Sequence, residues 1–136
     1  MLHSKHITLA ANKTEAQSTF TRFKVNQGFI TRAWISFPAG VQNLVNLRIF
    51  HDSHPFLPVD KNDFITGENI TFEYPVMYEI RSEPAIIAVQ AWNTDDTFAH
   101  TIDVQLLILP RELVLPVGAG EGLIAALRSL FERRGS

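Results

Sequence analysis

The sequence predicts an all-β fold, an antiparallel β-sandwich of the jelly-roll kind, followed by a short amphipathic helix at the carboxy terminus. Three observations carry that expectation. Apolar and polar residues alternate with period two from about Thr19 to Leu109, and Gly, Pro, Asn and Asp interrupt the alternation at short intervals. Helical spacing of apolar residues appears only after Gly118. The chain therefore divides into a sandwich with an amino-terminal arm over 1–117 and a glycine joint with a helix over 118–136.

Taken in order, His6 to Ala10 and Thr19 to Val25 are expected strands joined by a polar segment. In Phe29 to Phe37 the alternation places Phe29, Thr31, Ala33, Ile35 and Phe37 on one face, opposite Ile30, Arg32, Trp34 and Ser36. Leu44 to Phe50 repeats the scheme, with Val45, Leu47 and Ile49 against Asn46 and Arg48. His51 to Asp63 is rich in Pro, Asp and His, and Pro55 and Pro58 cannot donate to a ladder, so this stretch reads as a loop or a broken edge strand. Asn69 to Ile80 is β-rich, but Pro75 implies a bulge or an edge position and allows two short strands.

Ala85 to Trp92 is a nearly continuous apolar strand, ended by the turn-forming side chains of Asn93-Thr94-Asp95-Asp96. A hairpin is expected there, with His100 to Leu109 as its returning arm. That arm places Ile102, Val104, Leu106 and Ile108 on one face and Thr101, Asp103 and Gln105 on the other, until Pro110 stops it. Seven to nine short strands result, and turns every ~8 to 12 residues suit two packed sheets.

Composition narrows the function. With 136 residues, 46% hydrophobic and 19% charged, the chain can bury a core without metal or disulfides and is too apolar for disorder. A net charge of -2 gathers no phosphate backbone, which argues against nucleic acid as the main ligand. The absence of cysteine excludes disulfides, thiolate nucleophiles and cysteine zinc sites. The apolar runs Leu106 to Pro110 and Leu113 to Val117 fall far short of the roughly 20 residues that cross a bilayer, so no membrane partner is expected. Met1 to Ala10 carries His3, Lys5 and His6 and has no apolar core of the signal-peptide type, so synthesis in the cytoplasm is expected.

Candidate chemistry is sparse. His51, His54 and His100 could hold a divalent metal, as in a cupin-like enzyme, but a cupin needs His-x-His with a Glu close behind, and here the spacing is His-x-x-His with Asp60 as the next acid. The polar-loop reading outweighs it. Ser53 lacks a Gly-x-Ser-x-Gly elbow, and Glu68, Glu73, Glu79 and Glu83 read as solvated strand flanks before they read as a carboxylate pair for glycoside hydrolysis. Trp34 and Trp92, with Tyr74 and Tyr78, are a possible sugar-binding platform. Phe50, Phe56, Phe64 and Phe72 read as core. No catalytic, cofactor-binding or metal-binding residue is assigned, and no cofactor is expected.

The tail is more specific. Leu123, Ile124, Leu127, Leu130 and Phe131 form a stripe about 120° wide on a helix, with Arg128, Glu132 and Arg133 off it. The stripe could cap the chain's own sandwich, or the Gly118-Ala119-Gly120-Glu121-Gly122 joint could let it reach a neighbouring subunit. The second option makes these five residues the expected partner interface. Glu121 and Glu132 weaken a third option, a membrane-surface helix.

The order Gly28-Phe-Ile-Thr-Arg-Ala-Trp-Ile-Ser-Phe-Pro-Ala-Gly40, then Leu44-Val-Asn-Leu-Arg-Ile-Phe50, then Ala91-Trp-Asn-Thr-Asp-Asp96 before a His-led last strand, resembles small structural proteins of tailed bacteriophages and related viruses. The resemblance covers about Phe20 to Pro110 and transfers no functional residue. It implies a capsid decoration, cement or auxiliary protein, or a tail or spike part, working as a homo-oligomer, usually a trimer, on a larger assembly such as a capsid. The implied location is the virion, after synthesis in the host cytoplasm. A carbohydrate-binding module is the runner-up and a cupin-like metal enzyme the third expectation.

Overall fold

The computed structural model describes residues 1–114, in which eight strands form two four-stranded antiparallel sheets. The strands are β1 (Leu2–Leu9), β2 (Thr19–Val25), β3 (Gly28–Phe37), β4 (Val45–His51), β5 (His54–Leu57), β6 (Ile70–Ile80), β7 (Ala85–Asn93) and β8 (His100–Leu109). One sheet has the order β1-β8-β3-β6 and the other β2-β7-β4-β5. Every named pair is antiparallel, and this order is that of an eight-stranded jelly roll, two Greek keys folded over one another. A single 3₁₀ turn, Glu15–Gln17, lies between β1 and β2, and a one-turn helix, α1 (Arg111–Val114), follows β8.

The alternation in the sequence is what builds the core. Ile7 and Leu9 of β1, Ala33, Ile35 and Phe37 of β3, Val45, Leu47 and Ile49 of β4, and Ile87 and Val89 of β7 all point between the sheets. Ile102, Val104, Leu106 and Ile108 of β8 complete them. Burying a side chain of this size is worth roughly 1.5 to 3 kcal/mol, so a dozen such residues dominate the stability of the domain.

The hairpin expected of β7 and β8 is not formed. β7 pairs with β2 and β4 in one sheet, while β8 pairs with β1 and β3 in the other, so residues 94–99 cross between sheets instead of turning back. Both strands carry an apolar face that packs inward, and placing them on opposite sheets buries both against each other. Among the described strands, only β4 and β5 are consecutive in sequence and paired in space.

In β3 the register slips between Ile30 and Arg32 against both neighbours. A bulge puts two residues of one strand opposite one of the next. Ile30 therefore joins the core, fully buried, and Thr31 is not on the core face as the simple alternation expects. Pro75 sits opposite Arg32 at this slip and on the edge strand β6, which runs unbroken through it. Residues 51–63 contain the short edge strand β5.

The polar phase of β4 is covered as well. Asn46 and Arg48 are buried on the outside of the β2-β7-β4-β5 sheet, because the 3₁₀ turn and the 58–69 loop lie over them. Of the four phenylalanines expected in the core, Phe56 is there and Phe72 packs against it. Phe64 is instead about half exposed, with its ring edge-on to Trp92, and Phe50 pairs with Ala88 outside the inter-sheet cluster.

Candidate functional site

The three candidate histidines stand at opposite ends of the sandwich. His51 ends β4 and His54 begins β5, whereas His100 begins β8 beside the 94–99 crossing. His51 Nδ1 shares a 2.7 Å hydrogen bond with the Tyr78 hydroxyl, and the Tyr78 ring stacks with those of His54 and Phe56 at 5.9 and 4.9 Å. Burial pushes the Tyr78 phenol up, and the Asp52 carboxylate adds to the effect. The phenol therefore stays protonated. His51 Nε2 is buried without a hydrogen-bond partner, with Asp52 Oδ2 3.5 Å away.

His100 serves a different cluster. Its Nε2 lies 2.7 Å from Asp95 Oδ2, while the other oxygen of Asp95 accepts the backbone N–H groups of Thr97 and Phe98 at 2.9 and 3.2 Å. Asn93, fully buried, donates through Nδ2 to the carbonyls of Leu9 and Phe98 and accepts the Asp95 N–H. These bonds hold the chain where it passes from one sheet to the other. His100, then Thr97, hold the Asp95 carboxyl below its ordinary range against a smaller opposing effect of burial. No group of three or more potential metal-ligating side chains converges among the described residues.

The four glutamates do not pair with one another. Glu73 bonds Arg32 at 2.8 Å, Glu79 bonds Arg81 at 2.7 Å, and Glu68 accepts the N–H groups of Gly40 and Gln42 at 3.0 and 2.8 Å. Glu83 is exposed.

Trp34 and Trp92 share no platform, because Trp34 belongs to β3 in one sheet and Trp92 to β7 in the other. Trp92 is 5% exposed, covered by Phe64 and by the Arg48 guanidinium 5.3 Å from its ring. Arg48 also reaches Glu15 at 2.6 Å and the Asp63 carbonyl at 2.6 Å. That face is closed by its own loops. Tyr74 and Tyr78 pack against the core, not beside either tryptophan's outer face.

Trp34 lies on the outer face of the β1-β8-β3-β6 sheet, in register with Gln105 and Glu73. This face has two halves. Toward the loop end it is polar, laced by His6 with Asp103, Thr8 with Thr101 at 2.9 Å and Ser36 with Thr71 at 2.9 Å. Toward the end where β8 finishes it is apolar. Leu2 stands opposite Leu107, Leu107 opposite Arg32 and Arg32 opposite Pro75, with Leu109, Phe29 and Met77 in the adjoining positions. Leu2 is 53% exposed and Met77 67%.

The alternation reading missed this apolar half, although a signal existed. The outward phase of β8 runs Thr101, Asp103, Gln105 and then turns to Leu107 and Leu109. The partner-interface stripe Leu123, Ile124, Leu127, Leu130 and Phe131 lies outside the described residues. No helix among the described residues is long and apolar enough to cross a membrane. Searches of family models, curated proteins and solved structures yield no match to this chain.

Proposed function

We propose that the protein is a non-enzymatic structural or assembly component of a viral particle, in the manner of a capsid decoration, cement or auxiliary protein. It joins copies of itself, with a trimer favoured, and a larger protein assembly such as a capsid. Its place is the virion, reached after synthesis in the host cytoplasm.

One observation carries this reading: aliphatic side chains fill the space between the sheets. Jelly rolls serve viral capsids, lectins and cupins, and these uses differ in where the working surface lies. A cupin-like enzyme works from side chains gathered between its sheets. Here that space holds residues such as Ile35, Leu47, Ile49, Ile102 and Leu106, none measurably exposed. What the domain offers a partner is its outside, where Phe98 is 65% and Val59 73% exposed.

Two measurements test the proposal. Light scattering should give a mass three times that of the chain, and the protein should co-sediment with a large particle from the source in which it is made. A monomer that sediments alone would overturn it.

A carbohydrate-binding role is the second reading, favoured by Trp34, whose neighbours Gln105 and Glu73 supply amide and carboxylate groups on an open sheet face. It requires a glycan that binds the wild type and is lost on Trp34→Ala. With Trp92 covered, Trp92→Ala should not act on that binding directly.

A further inference from the structure

We infer that the apolar half of the outer β1-β8-β3-β6 face is the docking surface for the chain's own carboxy-terminal segment, residues 123–131. The inference concerns this chain alone and is independent of the viral role.

The first support is where the chain goes. After Pro110, α1 packs against β3, and the Arg111 guanidinium lies 3.8 Å from Glu79 of β6. The chain is thus aimed across this sheet towards β6. The other opening at this end is a groove of about 300 Å³ lined by Met1, His3, Lys24 to Gln27, Ile108 and Pro110, and among the described residues no ion pair draws α1 to it as Arg111 is drawn to Glu79. Phe29 belongs to the outer phase of β3, in register with Leu109 on one side and Glu79 on the other, and is only 8% exposed.

The second support is the match between face and segment. Leu2, Leu107, Leu109 and Met77 stand around Pro75 and the stem of Arg32, whose charged end is drawn aside to Glu73. Four strands span about 14 Å from first to last, and nine helical residues extend about 13 Å. The five apolar residues of the segment recur at helical spacing, and a helix so short does not persist alone in water. It needs an apolar partner, and an apolar face of its own length lies beside the point where the chain leaves β8.

The third support is the tether. Eight residues, 115–122, separate α1 from Leu123, and three of the last five are glycine. A short flexible linker gives an effective concentration in the millimolar range, above that of a second copy in dilute solution. The same chain therefore reaches the face first, and the covered surface leaves the polar half and the loop end open to partners.

The chain has no cysteine, so two introduced thiols report on this pair alone. Met77→Cys with Leu127→Cys, treated with a short bismaleimide, should crosslink within one chain, in a yield unchanged over a hundredfold dilution. Lys61→Cys with Leu127→Cys is the control, because Lys61 lies in the 58–69 loop, which covers the opposite sheet. Adding Leu107→Asp should bring the Met77 and Leu127 yield down to the control value, with circular dichroism confirming that the sheets remain. Crosslinked dimers that increase with concentration would overturn the inference in favour of a second copy. A yield no greater than the control in a folded protein would overturn it outright.

Discussion

Asp95 is the residue on which the crossing between the sheets depends. The hydrogen bond with His100 and those from Thr97 and Phe98 favour its charged form and depress its folded-state pKa. The sign follows directly. Above the ordinary Asp value of about 3.9 both states are ionised and the contribution is fully present; below it the unfolded chain takes up a proton that the folded chain refuses, and stability falls. The loss continues until the folded carboxyl itself protonates. Melting temperatures measured from pH 7 to pH 2 should therefore drop below about pH 4, and Asp95→Asn should be less stable at pH 7 and show a shallower acid limb.

Gly28 is fixed for a different reason. Its φ is +154°, and a Cβ there would lie 2.4 Å from the carbonyl oxygen of Leu109 on the neighbouring strand. Backbone, not a flexible side chain, stands in the way. Gly28→Ala should cost about 1 to 3 kcal/mol in urea unfolding, the range for strained backbone positions.

At the level of the element, β8 shows what a strand's two phases do. Leu106 is fully buried between the sheets, whereas its neighbour Gln105 faces outward in the middle of the polar half. Leu106→Ala should destabilise by about 2 to 5 kcal/mol through lost burial and the cavity left behind. Gln105→Ala should change stability by no more than about 0.5 kcal/mol. Chemical denaturation of the two variants decides whether β8 has the register described, since a slip by one residue would exchange their effects.

β3 and β4 show how the surroundings modify that rule. The bulge after Ile30 turns an outward position inward, and the cover over β4 buries Arg48, whose charge is met by Glu15. Period two was visible in both strands. The bulge and the covering segments were not, because they come from partners distant in sequence.

At the scale of the whole molecule, six of the eight described strands have no sequence neighbour beside them in their sheet, the exceptions being β4 and β5. β1 pairs with β8, about a hundred residues on in register, with Leu2 opposite Leu107. The β1-β8-β3-β6 sheet cannot be completed until residues 2–9 and 100–109 have met, and the other sheet needs β2 beside β7, more than sixty residues on in the chain for most of their register. Unfolding should accordingly be a single cooperative transition, with far-UV circular dichroism and tryptophan fluorescence coinciding in urea, and folding should fall in the millisecond to second range of non-local β proteins. Two separated transitions would show that the sheets are independent units.

The sequence by itself determined most strand positions, the inward-facing residues of most strands and the class of fold, because burial on one side of a sheet imposes period two on the residues themselves, but β1 runs Leu2–Leu9 where the sequence predicts a strand from His6 to Ala10. It also showed Pro75 to be an edge or bulge residue, since proline lacks the donor a central strand needs. Only the tertiary structure decided which strands pair. It sent β7 and β8 to different sheets, put the candidate histidines at opposite ends, and separated Trp34 from the covered Trp92. Alternation states which side of a strand is buried but not what buries it. The partner is chosen by how two whole sheets cover each other, and no local pattern contains that.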